Sequence, residues 1–329
     1  MPPTSLRPAP LLDRRLIFVT GKGGVGKTTI AASLATLAAQ QGKRTLVCEV
    51  DAKGNLADFF ESKPIRWEPR EVAPDLLAMA MQTEESLKEY MRLQLKIPLL
   101  ARIGPLARTF DFVATAAPGV KEILTVGKLC YEVRERNYDL VVVDASASGH
   151  VVAQLAAPEA IGDLVKVGVV RDQTRWMDDI LGDPLQTGAV IVSAPEEMPV
   201  SETLELAERI RNETDVELAA VVVNKVLPEL FGRGEEAIFD RLREPAAAGA
   251  LGAAVAHGSE GAAGDVGPVL DGAALAVTLR RTRAEHLTRL RTELPTRLPL
   301  LYIPYYFTRL HGIRTTRAVA EALGEELGF

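Results

Sequence analysis

Short apolar runs recur along this chain, each bounded by turn residues. They are LIFVT at 16–20, TLVCEV at 45–50, LVVVDA at 140–145, AVIVSA at 189–194, AAVVVN at 219–224 and LPLLYIP at 298–304. Most show no polar alternation. That pattern belongs to strands buried on both faces, as in a parallel sheet. Stretches with helical spacing lie between them, at Thr28–Gln41, Ser201–Arg211 and Arg314–Leu327. Strand alternating with helix predicts an α/β fold, a mostly parallel sheet flanked by helices.

Two stretches break the alternation. Residues 83–135 hold no clear strand and read as a helical insertion between sheet strands. Residues 245–272 are dominated by alanine and glycine, and each glycine lowers helix stability by about 1 kcal/mol relative to alanine. They are expected to form a mobile or weakly helical excursion, followed by a basic helix from Ala273 to Arg291. The Pro-rich start, residues 1–13, is expected to be a disordered lead-in to one domain covering 14–329. No internal repeat is visible.

Composition narrows the function classes. The net charge of −6 over 329 residues argues against bulk attraction to nucleic acid or anionic lipid. The two cysteines, Cys48 and Cys130, have no metal-ligand spacing. The N-terminus has no apolar core of signal-peptide length, and no apolar run is long enough to span a bilayer. A cytoplasmic protein is expected.

The chemistry starts at Gly21-Lys22-Gly23-Gly24-Val25-Gly26-Lys27-Thr28-Thr29, which fits the GxxxxGK[ST] phosphate-loop pattern. It follows an apolar strand and opens a helix, the context this motif requires. Glycines let the backbone aim its N–H groups at phosphate oxygens, and the helix N-terminus adds favourable partial charge. Lys27 is expected on the β- and γ-phosphates of ATP. The Thr28 hydroxyl is a hard oxygen donor suited to Mg²⁺.

Further polar residues follow other strands, at the edge where open parallel sheets bind ligands. Asp51 follows TLVCEV in the glycine-containing loop VDAKGNLADFF and is expected to activate the attacking water. Asp144 ends LVVV and opens DASASGH; it is expected to hold Mg²⁺ through water and sense the γ-phosphate. Asn224 ends AAVVV without the acid of a guanine-reading NKxD, so adenine is preferred. Pro304 and Tyr305 are candidates to pack on its ring, with plain strand-end packing an equal alternative.

Lys22 makes GKGGVGKTT resemble the deviant Walker A class of phosphate-loop NTPases. That resemblance implies a lysine that crosses a dimer interface to the other subunit's nucleotide. GKGGVGKTT, VDAKGNLADFF, DASASGH, SAPEEMPVSETLELAERI, VVVNK and IPYYFTRLHGIR occur in the order of a narrower family. Together they resemble the ATPase that drives arsenite pumps and its guided-entry relatives, which deliver tail-anchored membrane proteins. FDFVATAAPGVKEILTVGK is similar to the single-domain bacterial type, often encoded as paralogous pairs.

The resemblance implies an ATP-hydrolysing homodimer, or a heterodimer with a paralogue, with a hydrophobic protein client or a membrane partner. Apolar residues between Met91 and Phe112, among them Leu95, Ile97, Leu99, Leu100, Ile103 and Leu106, could form a client surface or pack the insertion onto the sheet. Two family features are missing: metalloid-binding cysteines in a tandem duplication, and a CxxC zinc at the dimer interface. The alternatives are a subunit energising a membrane anion pump and a nucleotide-dependent assembly partner of a paralogue. No cysteine follows Asp144, unlike nitrogenase-type reductases, and the acidic C-terminus is unlike the basic helix of partition and division-site ATPases.

Overall fold

The computed structural model describes residues 10–51, 55–93, 119–164, 169–232, 234–258, 266–307 and 312–329. The strands are β1 (Leu16–Gly21), β2 (Thr45–Glu49), β3 (Arg70–Ala73), β4 (Leu76–Ala80), β5 (Leu140–Asp144), β6 (Thr187–Ser193), β7 (Leu218–Val226) and β8 (Leu300–Pro304). They form one eight-stranded sheet in the order β3-β4-β2-β5-β1-β6-β7-β8. Every pairing is parallel except β3 with β4. The phosphate-loop strand β1 thus lies between β5 and β6, inside the sheet.

The helices are α1 (Lys27–Gln40), α2 (Asn55–Phe59), α3 (Thr83–Leu93), α4 (Val120–Arg134), α5 (Ser148–Leu164), α6 (Val169–Leu181), α7 (Glu197–Glu213), α8 (Glu235–Leu242), α9 (Pro245–Gly258), α10 (Gly267–Glu293) and α11 (Ile313–Leu327). They cover both faces. Leu16 and Phe18 enter one core with Val126, Leu129, Val151, Leu155, Val200 and Leu290 from α4, α5, α7 and α10. Ile17 and Val19 enter the other with Ile30, Leu34, Val319 and Leu323 from α1 and α11. Two buried faces explain why β1 and β5 carry unbroken apolar runs. Ala31, Ala32, Ala35 and Ala38 are fully buried on α1, and such small side chains let α11 pack closely. The Ser33 hydroxyl donates to the Thr316 carbonyl across that contact.

All six predicted strands are present, with ends shifted by up to two residues. Two more, β3 and β4, were not predicted. β4 reads LLAMA, and leucine, methionine and alanine have little strand preference of their own. Its pairing with β2 and its burial make it a strand.

The ends of the predicted insertion are helical, as α3 and α4; residues 94–118, with most of the candidate client surface, lie outside the described residues. Met91 and Leu93 belong to α3, but their side chains are not described. In the Ala/Gly-rich stretch, 245–258 forms α9, and the basic helix begins at Gly267 rather than Ala273, with Pro268 in its first turn. Of the expected lead-in, residues 1–9 lie outside the described ones, whereas Leu11–Asp13 form a 3-10 turn that buries Leu11 and Leu12. Among the described residues no helix is long and apolar enough to cross a membrane.

Candidate active site

Gly21, Asp144 and Pro304 end their strands, Asp51 lies two residues past β2, and Asn224 lies two residues before the end of β7. The loop after β1 is fixed by glycines. Gly21 has φ +143°, and a Cβ there would lie 2.2 Å from the Val192 carbonyl oxygen of β6. Gly26, at φ +100°, caps α1, and a Cβ there would lie 2.4 Å from Asn224 Nδ2. Both positions demand glycine by conformation and by space. Gly23 and Gly24 border open space instead. Thr29 sits in the first turn of α1, beside Gly26.

The side chains hold the loop from three directions. Lys27 Nζ donates back to the Lys22 carbonyl at 3.2 Å. Asn224 Nδ2 donates to the Val25 carbonyl at 2.8 Å, and its Oδ1 accepts from the Lys225 amide at 2.9 Å. Lys225 has the unusual φ of +62° for a residue with a side chain, and its Nζ donates to the Gly24 carbonyl at 2.9 Å. Lys22 reaches away from the loop to Glu202 on α7, at 2.5 Å. Neither Lys225 nor Glu202 emerged from the sequence: NKV matches no complete base-reading motif, and Glu202 lies 180 residues from Lys22.

Thr28 and Asp144 meet directly. The Thr28 hydroxyl donates to Asp144 Oδ2 at 2.6 Å. Asp144 Oδ1 is buried with no hydrogen-bond partner. An orphaned carboxylate oxygen beside a hydroxyl is a hard-donor set that fits Mg²⁺, held directly or through water. Burial is the largest cause that pushes the Asp144 carboxyl up, to about 6. The Thr28 hydrogen bond and Lys27 oppose that push, and Glu49 and Asp51 add to it. Glu49 is the register partner of Asp144 in the adjoining strand and is itself buried.

Asp51 is exposed and less tightly held. Its Oδ1 accepts from Ser146 Oγ at 3.3 Å, and Ser146 Oγ accepts from Gln154 Nε2 at 3.1 Å. Ser146 thereby joins the loops after β2 and β5. Residues 52–54 of the Asp51 loop lie outside the described residues. Pro304 ends β8, and the Tyr305 amide donates to the Val226 carbonyl at 2.8 Å, so Tyr305 stands beside β7. Its ring meets Phe307 edge-on at 4.9 Å, and both rings are exposed.

A glycine loop between a buried strand and a helix, beside an acid from the neighbouring strand, defines a phosphate-loop NTPase. The family model described as anion-transporting ATPase matches residues 14–175 and 163–233. The chain belongs to that family and is an ATPase. It is 32% identical over 232 residues to the ATPase BagA of Mycobacterium tuberculosis, covering 67% of this chain and 68% of the relative. A protein of Halobacterium salinarum, provisionally named an arsenical pump-driving ATPase, is 29% identical over 256 residues, 71% of this chain and 38% of its own length. ATPase ASNA1 homolog 1 of Paramecium tetraurelia is 35% identical over 145 residues, 43% of each chain. The arsenite-pump and guided-entry resemblance in the sequence agrees with these relatives.

Proposed function

We propose that this chain is a dimeric switch in which ATP, bound between two subunits, drives closure and its hydrolysis drives opening. One observation carries the nucleotide-binding core of the reading: Thr28 and Asp144 meet at 2.6 Å with Asp144 Oδ1 unpaired, beside a loop in which Gly21 and Gly26 have no room for a side chain. The loop amides and Lys27 bind the phosphates of ATP. Thr28 and Asp144 hold Mg²⁺, which when bound neutralises charge on the phosphate oxygens. Asp51 orients the attacking water and accepts its proton. Ser146, in contact with Asp51 and two residues from Asp144, links the two acids. Asn224, Pro304 and Tyr305 receive the adenine. Lys22 completes the site of the opposite subunit.

Closure is read as coupled to binding and release of a hydrophobic protein client in the cytoplasm. The sequence resemblance to guided-entry ATPases supports this. So do the exposed apolar residues Ile238, Val255, Val269 and Leu275 on α8–α10. Asp51→Asn tests the switch. It should bind ATP and accumulate as a dimer in sedimentation with turnover lost. A monomer under saturating ATP would sink the dimer reading.

A subunit energising an anion pump is the second reading, favoured by the name of the Halobacterium relative. Thiol-mediated oxyanion binding is disfavoured. Cys48 and Cys130 are fully buried, and burial pushes both thiols up. Arsenite stimulation of turnover would favour this reading. Co-purification of a similar second chain would favour the assembly-partner alternative.

A further inference from the structure

Lys22 sits where its side chain has a choice and its backbone has none. Gly21 pins the chain against Val192, and Lys27 holds the Lys22 carbonyl. The ammonium pairs with Glu202, both side chains about one third exposed. Glu202 is held in place on α7. Its neighbour Thr203 donates to Ser193 Oγ at 2.9 Å, and Ser201 Oγ accepts from Arg289 of α10 at 2.9 Å. The carboxylate is therefore presented to Lys22 by a helix fixed on both sides.

We propose that Glu202 is a positioning residue that parks Lys22 within its own subunit, so that closure onto a second copy must transfer the ammonium from this carboxylate to the phosphates of the opposite ATP. The inference rests on the reading that Lys22 acts across a dimer. It gives the unpaired chain a resting state in which Lys22 is withheld. A nucleoside triphosphate on a second copy offers more negative charge than one carboxylate, so the exchange is downhill only when the opposite subunit is loaded.

Partly exposed ion pairs are weak, so the parking contact sets a modest threshold. In the full-length chain, Glu202→Gln should lower the protein concentration at half-maximal ATPase activity by about three- to five-fold, with the plateau rate unchanged. Glu202→Asp, which keeps the charge, should lie closer to wild type. Raising the salt should shrink the difference between wild type and Glu202→Gln. A Glu202→Gln concentration curve superimposable on wild type, or shifted to higher protein, overturns the proposal. Lys22→Ala separates the two levels. If it turns over normally, the trans-lysine reading itself fails. If it is inactive while Glu202→Gln behaves as wild type, that reading stands and the parking contact alone is rejected.

Discussion

Asp144 ends β5 and Asp51 follows the adjoining strand β2, yet their surroundings differ. Asp144 is buried, hydrogen-bonded to Thr28 and in register with Glu49. Asp51 is exposed and touches the rest of the site through a 3.3 Å bond from Ser146. A fixed acid suits a metal that must sit in one place, because coordination geometry tolerates little displacement. A loosely tethered acid suits a group that enters only when the γ-phosphate is present. On the proposed reading, the difference makes Asp144 the anchor and Asp51 the moving part.

The largest effect should come from the frame that both acids face. Gly26→Ala would place its methyl 2.4 Å from Asn224 Nδ2 at a left-handed φ. Nucleotide affinity should fall by about 100-fold or more in equilibrium titration. Retained binding would mean that the clip from Asn224 yields easily, and the contrast between fixed and movable parts would lose its fixed half.

Next come the acids themselves. Asp51→Asn should lower turnover by about 100-fold or more and leave ATP affinity within a few-fold. Asp144→Asn should instead raise the Mg²⁺ concentration needed for half-maximal nucleotide binding by about ten-fold. The comparison breaks if the two variants show the same profile. Asn224→Ala is a smaller perturbation with two readable outcomes. A side chain that clips the loop should weaken ATP and GTP equally, by about five-fold, whereas one that reads adenine should narrow the preference for ATP over GTP.

Much of this site is legible in sequence because it is local or strand-terminal. GKGGVGKTT carries its own geometry, and Asp144 announces itself by ending an apolar run. Contacts between distant segments leave no such mark. Glu202 looks like any exposed glutamate of an amphipathic helix until α7 is packed beside β1. The sequence suggests Asn224 as a base reader but gives no sign that its amide also ties Val25 and Lys225. β4 was missed because tertiary pairing, not residue preference, makes LLAMA a strand. The start of α10 was misplaced because Pro268 and nearby glycines look like breakers, yet proline is tolerated in a first turn.

The last and smallest prediction sets Asp144 against a third aspartate, away from the nucleotide. Asp178 on α6 is also pushed up to about 6, by burial first and then by Glu159, Asp215, Asp179 and Asp163. The charges that act on it are all acidic, whereas Asp144 has Thr28 and Lys27 to oppose the same push. Unfolded, such a carboxyl titrates near 3.8. Between there and about 6 the folded chain binds more protons, so stability falls as pH rises through that window. Asp178→Asn removes the fall. The variant should match wild type near pH 4 and exceed it above pH 6, by about 1 kcal/mol after allowing for solvent screening. That corresponds to about 2 °C in thermal denaturation. Magnesium with nucleotide should raise the melting temperature of wild type and Asp178→Asn equally, since the proposed cation relieves Asp144 and not Asp178. Loss of that added stabilisation in Asp178→Asn would place the acidic patch within reach of the site, and Asp144 would no longer be distinguished by what opposes its charge.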